Sequence, residues 1–458
     1  MSRHRDRNSK GTAYRGSRRS CSSPPAPQGY GAVFRVREFR AVFAAHLLSL
    51  LGVVVAEIAL TVLVYELTKS PLLSALTFAL GMLPYLIGGT LFAGVADRYP
   101  ARRVLVVCDL ICAACVAVMI VPGTPVAALL ALRILIAAIA PVFTGTRMAA
   151  LTDILGEGDL YVLGRSILRI VSQSAQLAGF GVGGVLLTVV SPRGAITLTL
   201  GTFLASALLL RFGTKARPAR AHGGAALMRE SLSGARKVFA DRRIRAQVLL
   251  FWVPTMFVVA PEALAAPYAE HIGAGPAALG LLMCAMPVGH IAAEVWVGAR
   301  LSPRTRSRIV LPVAGASLLP FLAYAAEPGL GLSVLLLVLA GAGGAYVLGL
   351  DQWFVATVPE ELRGRAMTLM TAGLMTVQGA GMALAGLAAE FWPVHQVVTG
   401  AGVIGTLLSL LLVREAHRAG ARPVEQGAPA EQTDPAEQPA PARQTELRDG
   451  TGRDVTAR

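Results

Sequence analysis

Runs such as Leu76 to Ala93 and Val104 to Val121 set the strongest constraint on what this chain can fold into. A helix rises about 1.5 Å per residue, so about 20 mostly apolar residues cross a hydrocarbon layer of about 30 Å. Twelve such runs are present, at 39–66 (α1), 71–95 (α2), 103–121 (α3), 125–147 (α4), 164–190 (α5), 193–212 (α6), 246–268 (α7), 276–299 (α8), 308–326 (α9), 329–355 (α10), 364–390 (α11) and 393–413 (α12). They are too long for barrel strands and lack the alternation of one. Turn signals such as Lys69-Ser70-Pro71, Pro122-Gly123-Thr124-Pro125 and Glu327-Pro328-Gly329 join neighbours into antiparallel hairpins. The expected fold is therefore an all-α integral membrane protein of twelve transmembrane helices. With 54% hydrophobic and only 15% charged residues, the chain has too little polar surface for a soluble protein of 458 residues.

The net charge of +15 is not spread evenly. Arg and Lys gather in alternate gaps, whereas the other gaps between helices hold only Lys69 and Arg193. Basic residues are retained on the cytoplasmic side, which predicts a multi-pass protein of the plasma membrane with both termini in the cytoplasm. No nucleic-acid recognition motif accompanies the basic residues, so no nucleic-acid partner is expected. The first apolar run starts near Ala41 and is too long for a cleavable signal.

Composition divides the chain into a basic N-terminal tail at 1–34, a six-helix bundle at 35–212, a basic linker at 213–245, a second six-helix bundle at 246–413 and a C-terminal tail at 414–458. Both tails read as disordered, because they lack large apolar side chains. Within the linker, Ala226 to Ala240 could lie on the membrane face as an amphipathic helix. Cys108, Cys112, Cys115 and Cys284 sit in apolar helices with no His or Cys cluster to complete a metal site, so they read as packing residues and no metal or cofactor is expected.

Charge inside an apolar helix is costly unless paired or hydrated, so the intramembrane charges matter most. They are Glu57 in α1, Asp109 in α3, Arg133 in α4, Arg169 in α5, Glu262 in α7, Glu294 in α8 and Asp351 in α10. Depth sorts them: Asp109, Arg169, Glu294 and Asp351 lie within about two turns of helix ends, where snorkelling is the cheaper explanation, and Glu57, Arg133 and Glu262 lie deeper. His290 and Glu294, four apart on one helical face, can interact. His46 reads as a packed histidine. Neither a phosphate-binding loop nor a nucleophile elbow is present, so no enzyme is expected.

Four places resemble the major facilitator superfamily. The loop GVADRYPARR is similar to the family's signature between α2 and α3, with Gly94, Asp97, Arg98 and Arg102 in place, Pro100 where a glycine is usual and Ala101 for the first arginine. Arg133 resembles the family's intramembrane arginine, followed by Ala137 where a glycine is usual. In α5, Gly179-Phe180-Gly181-Val182-Gly183-Gly184 is similar to the glycine signature of exporters, with Phe180 in place of proline. Val358 to Ala366 resembles the segment before α11.

The resemblance implies two six-helix bundles that rock about a central site, in the drug and siderophore efflux branch. It implies a latch in which Asp97 pairs with the neighbouring arginines, Arg98 and Arg102, and with the positive end of α11 near Gly364 and Arg365. It also implies a gate shaped by Gly179, Gly181, Gly183 and Gly184. In the resembling fold α1 and α4 line the cavity, which makes Glu57 and Arg133 a salt bridge that breaks and reforms with proton uptake, or else a structural pair; Glu262 is the competing proton carrier. The expected function is a monomeric secondary transporter that expels small amphipathic molecules in exchange for protons, with uptake by proton symport, or a receptor without turnover, as alternatives.

Overall fold

The computed structural model describes residues 30–83, 99–156, 159–217 and 241–421. Among the described residues every regular element is helical, and eleven helices are long and apolar enough to cross a membrane. The remaining expected helix, α2, is described over Pro71–Met82. The rest of α2, most of the signature loop, Ala226 to Ala240 and the far ends of both tails lie outside the described residues.

Local sequence explains several helix starts. Ser70 accepts a hydrogen bond from the Leu73 backbone N–H and is followed by proline, so α2 opens with its free donors partly satisfied. Ser191-Pro192 does the same for α6, and Ser302-Pro303 for α9. Asp241 caps α7 by accepting from the backbone N–H groups of Arg243 and Ile244. The remaining spans are α1 Arg37–Thr68, α3 Ala101–Ile120, α4 Val126–Leu155, α5 Asp159–Val189, α8 Pro276–Arg300, α11 Glu360–Ala388 and α12 Val394–Arg418, with a short helix Tyr30–Phe34 before α1.

Several boundaries differ from expectation. α7 is three pieces, Arg242–Val258, Ala260–Ala263 and Ala265–His271, with Pro261 and Pro267 each withholding a backbone donor just after a break, while Pro254 lies within the first piece. α9 runs as Pro303–Ala316 and then tightens to a 3-10 helix, Leu319–Ala326. α10 breaks between Leu330–Gly343 and Tyr346–Thr357, at a point where any side chain on Gly344 would collide with the His290 ring. α12 runs to Arg418 rather than stopping at 413, and the Ala421 carbonyl accepts a 2.8 Å hydrogen bond from the buried Gln247 side chain of α7. The C-terminal tail expected from 414 therefore starts too early. The linker expected to reach 245 likewise ends at the Asp241 cap.

α1 packs on α5 and α6 in the first bundle, while α7 packs on α11 and α12, and α8 on α10, in the second. Among the described residues the seam between them is made mainly by α2 with α11 and by α5 with α8, and the last two pieces of α7 add contacts to α2 and α1. One continuous apolar core, including Ile58, Phe78 and Phe180 from the first bundle and Phe321 and Tyr324 from the second, crosses it. The outer surface is apolar as well, with Val189, Phe212, Trp296 and Leu411 turned outward, as a lipid-covered belt requires.

The ion pairs show which side of the seam is shut. On the face that carries the basic loops, Arg217 and Lys215 pair with Glu38, and Arg242 grips Glu415 through two nitrogens, each pair staying within one bundle. On the far face the contacts cross between bundles. Lys69 meets Glu270 at 3.0 Å and holds that carboxyl below the usual carboxylate range, and Glu390 accepts from Ser70 and from the Leu72 backbone N–H. Among the described residues, the molecule is closed on its far face.

Candidate functional site

A cavity of about 710 Å³ lies behind that closure. Its lining runs from Tyr161 and Arg165, at the basic-face end of α5, up to Glu57 and Arg133, so that among the described residues it opens toward the basic face and ends blind beneath the far one. Met375 of α11 is the one lining residue from the second bundle among those described.

Glu57 and Arg133 form an ion pair at the blind end, through one Arg133 terminal nitrogen and a Glu57 carboxylate oxygen. They stand eleven residues from the far end of α1 and seven from that of α4, so each is roughly 10 to 16 Å deep. The Arg133 Nε donates a second hydrogen bond, 3.2 Å to the Thr77 carbonyl of α2, and this fixes the plane of the guanidinium. Gly81 makes the pair possible. A side chain there would occupy the space of the Arg133 guanidinium, a requirement that the sequence does not announce.

Deeper toward the basic face the cavity holds a second polar group. Asp109 does not snorkel, as its depth in the sequence suggests; it is fully buried, because its face of α3 packs on α6. Its carboxylate accepts hydrogen bonds from Ser206 of α6 at 2.6 Å and Ser49 of α1 at 3.5 Å. Arg147 of α4 lies over the Phe143 ring, 4.4 Å from its centre, and within 3.5 Å of the His46 Nε2. That nitrogen is also 2.9 Å from the Ser172 hydroxyl of α5, so His46 lines the cavity instead of serving only as packing. Arg147 and Asp109 are the cavity residues that sequence reasoning undervalued. Helix-end position suggests water, and only the neighbouring helices reveal burial.

Glu262 sits half-buried in the single turn Ala260–Ala263 and is not part of the cavity lining, although it lies within electrostatic reach of Glu57. His290 and Glu294 do meet, at 3.3 Å along α8. The side chain of Arg169 lies outside the described residues. The cysteines Cys108, Cys112 and Cys115 are buried in the packing of α3.

The four α5 glycines divide. A side chain on Gly179 or Gly183 would press into Val54 or Ile58 of α1, inside the same bundle. Gly184 faces the other bundle, and a Cβ on it would fall within the backbone of Gly280 on α8. Gly181 also looks across the seam, but an added Cβ would rest 3.5 Å from the Cys284 sulfur, an ordinary contact. Phe180, which stands where exporters carry proline, is buried in the shared core. Of the latch residues, Arg102 donates to the Thr214 carbonyl at the end of α6, at 3.2 Å. Gly94, Asp97 and Arg98 lie outside the described residues, and Gly364 and Arg365 fall on α11 without described side chains.

The sequence matches the profile of the Major Facilitator Superfamily over residues 42–264 and 256–449. The chain belongs to the Major Facilitator Superfamily. Solved structures of similar fold include a variant of the nucleoside transporter NupG, at 15% identity with a TM-score of 0.65, covering 83% of this chain and 99% of that one. The peptide transporter POT in complex with sulfate is similar at 16% identity and a TM-score of 0.62, covering 86% and 99%. A proton dependent oligopeptide transporter is similar at 12% identity and a TM-score of 0.56, covering 84% and 99%. No curated protein gives a sequence match. At these identities the structures carry the fold alone, and the chain is a major facilitator secondary transporter rather than an enzyme.

Proposed function

We propose that this major facilitator is a monomeric exporter of small amphipathic molecules, such as drugs, secondary metabolites or siderophores, driven by proton exchange. The observation that carries the reading is the Glu57–Arg133 pair at the blind end of the cavity. A carboxylate that loses its guanidinium partner when protonated links proton occupancy to the packing of α1 against α4, and so to the shape of the cavity. The lining supports an amphipathic cargo, since it combines the apolar side chains of Leu50, Val53 and Phe143 with the charged Arg147 and Glu57. The basic loops support placing the open face in the cytoplasm of a plasma-membrane protein. The glycine run of α5 supports the outward direction.

Proton symport is the second reading, favoured by Phe180, which removes the proline from the exporter-like run. Vesicles reconstituted with the protein and given a pH gradient separate the two. Export by exchange moves protons against the substrate flow, symport moves them with it, and a receptor moves nothing.

Two smaller effects test the surroundings of this site. Asp97→Asn keeps side-chain size but removes the charge that the latch needs, and is expected to slow transport at equal protein abundance. An exposed anion at a helix start contributes about 0.3–1 kcal/mol, so the loss should be roughly two- to five-fold. Flux unchanged would leave Asp97 as a marker of topology alone. Deletion from Arg422 onward removes a segment of Ala, Pro, Glu and Gln while sparing the Ala421 carbonyl that Gln247 binds. Transport and melting temperature are expected to stay at full-length values, and a large fall in either would show that the segment docks.

A further inference from the structure

Away from the cavity, on the far face of the second bundle, three side chains converge from separate parts of the chain. His271 ends α7, Glu327 lies in the turn between α9 and α10, and His395 begins α12. One ligand atom from each lies within 4.8 Å of the other two. We propose that His271, Glu327 and His395 form a binding site for a divalent transition-metal ion of the zinc type, which staples the last piece of α7 to α12.

The spacing suits such an ion. A tetrahedral centre with bonds of about 2.0–2.1 Å holds its ligand atoms roughly 3.3 Å apart. The His395 Nε2 is 3.2 Å from one Glu327 oxygen, and the His271 Nε2 is 3.8 Å from the other. The two imidazole rings are stacked, with centres 6.0 Å apart and planes 28° from parallel, and both turn Nε2 toward the carboxylate. His395 is nine-tenths buried, and its Nδ1 has no hydrogen-bond partner among the described residues, so its polar bonding runs through Nε2 to Glu327.

His271 and Glu327 are about half exposed, leaving the site open to ions from the aqueous side and a fourth position for water. Two imidazoles and one carboxylate select zinc or its neighbours over magnesium and calcium, which demand oxygen ligands. Glu327 reaches the site from a left-handed backbone, with φ of 51°, that turns the chain sharply between α9 and α10.

The position gives the ion a structural consequence. Glu270, the neighbour of His271, is the far-face acid that reaches across the seam to Lys69. The terminal piece of α7 that carries both residues follows two helix breaks, and a metal tie to α12 would fix it.

Calorimetric titration of Zn2+ alone into the metal-stripped full-length protein in detergent tests the site. Saturable binding of one ion per chain is expected, with magnesium at the same concentration failing to compete. His271→Gln and Glu327→Gln alter exposed side chains without removing core packing, and each should weaken binding by at least ~10-fold, because loss of a mere outer-shell partner of a ligand already costs about that much. His395→Gln should do the same, and Zn2+ should raise the melting temperature of the wild type but not of the three variants. His290→Gln, which disturbs the separate His290–Glu294 pair, should bind normally. No saturable binding, or binding that survives His271→Gln and Glu327→Gln, overturns the proposal.

Discussion

Glu57→Gln is expected to reduce proton-driven flux to the level of protein-free vesicles. The amide oxygen can still accept from Arg133, so the local shape survives, but the group can no longer take up or release a proton. Exchange of labelled for unlabelled substrate, which needs no proton, should persist when the cargo is neutral. Arg133→Ala acts by a different route: it strips the partner from a poorly hydrated carboxylate and also the donor from the Thr77 carbonyl. Removing one member of a buried pair costs about 3–5 kcal/mol, enough to cut transport by more than about a hundredfold. Arg133→Lys should recover part of the loss, since an ammonium keeps the charge without the fork that bonds Glu57 and Thr77 together. Vesicle flux against an imposed pH gradient measures all three. Full proton-driven transport by Glu57→Gln, with its loss in Glu262→Gln, would move coupling to the second bundle.

Gly184→Leu should stop the transport cycle by preventing closure of the far face. At this point α5 and α8 meet backbone to backbone, so the added atoms have no flexible side chain to displace. Overpacking of a tight contact costs about 1–3 kcal/mol, which shifts the closed state by roughly five- to a hundred-fold. The bundles themselves should remain folded, because Gly184 faces across the seam. Gly181→Ala is the control: its new methyl would touch only the Cys284 sulfur at an ordinary distance, and transport should be close to wild type. Labelling of single cysteines placed along the far seam reads the outcome, with raised accessibility expected for Gly184→Leu. If its far seam stays closed and its flux normal, the glycine contact is not where the gate shuts.

Much of this architecture was legible because a bilayer imposes one simple demand: length and apolarity in every crossing. Hence α1, α3 and α6 fall within a few residues of their expected limits. The breaks in α7 and α10 were less visible. Prolines mark the first; the second falls in the glycine run Gly341, Gly343 and Gly344, whose need for space is set by the His290 ring of α8 and is not readable locally. The Glu57–Arg133 pair could be reached from depth together with the family resemblance. Asp109 could not, since its hydrogen bonds come from serines 60 residues before it and 97 after it, and helix-end position alone pointed to water. Gly81 was hidden for the same reason, its purpose being the space it leaves for another helix's arginine.

The lopsided lining of the cavity bears on how such a carrier changes its diet over time. Met375 is the lone contribution from the second bundle among the described residues, so a cargo held in this cavity would meet side chains of the first bundle almost alone. New specificities can then accumulate in α1, α4 and α5 while the seam at Gly184 and Gly280 is preserved. On that arrangement the first bundle would read chemical identity and the second would serve as its counterweight.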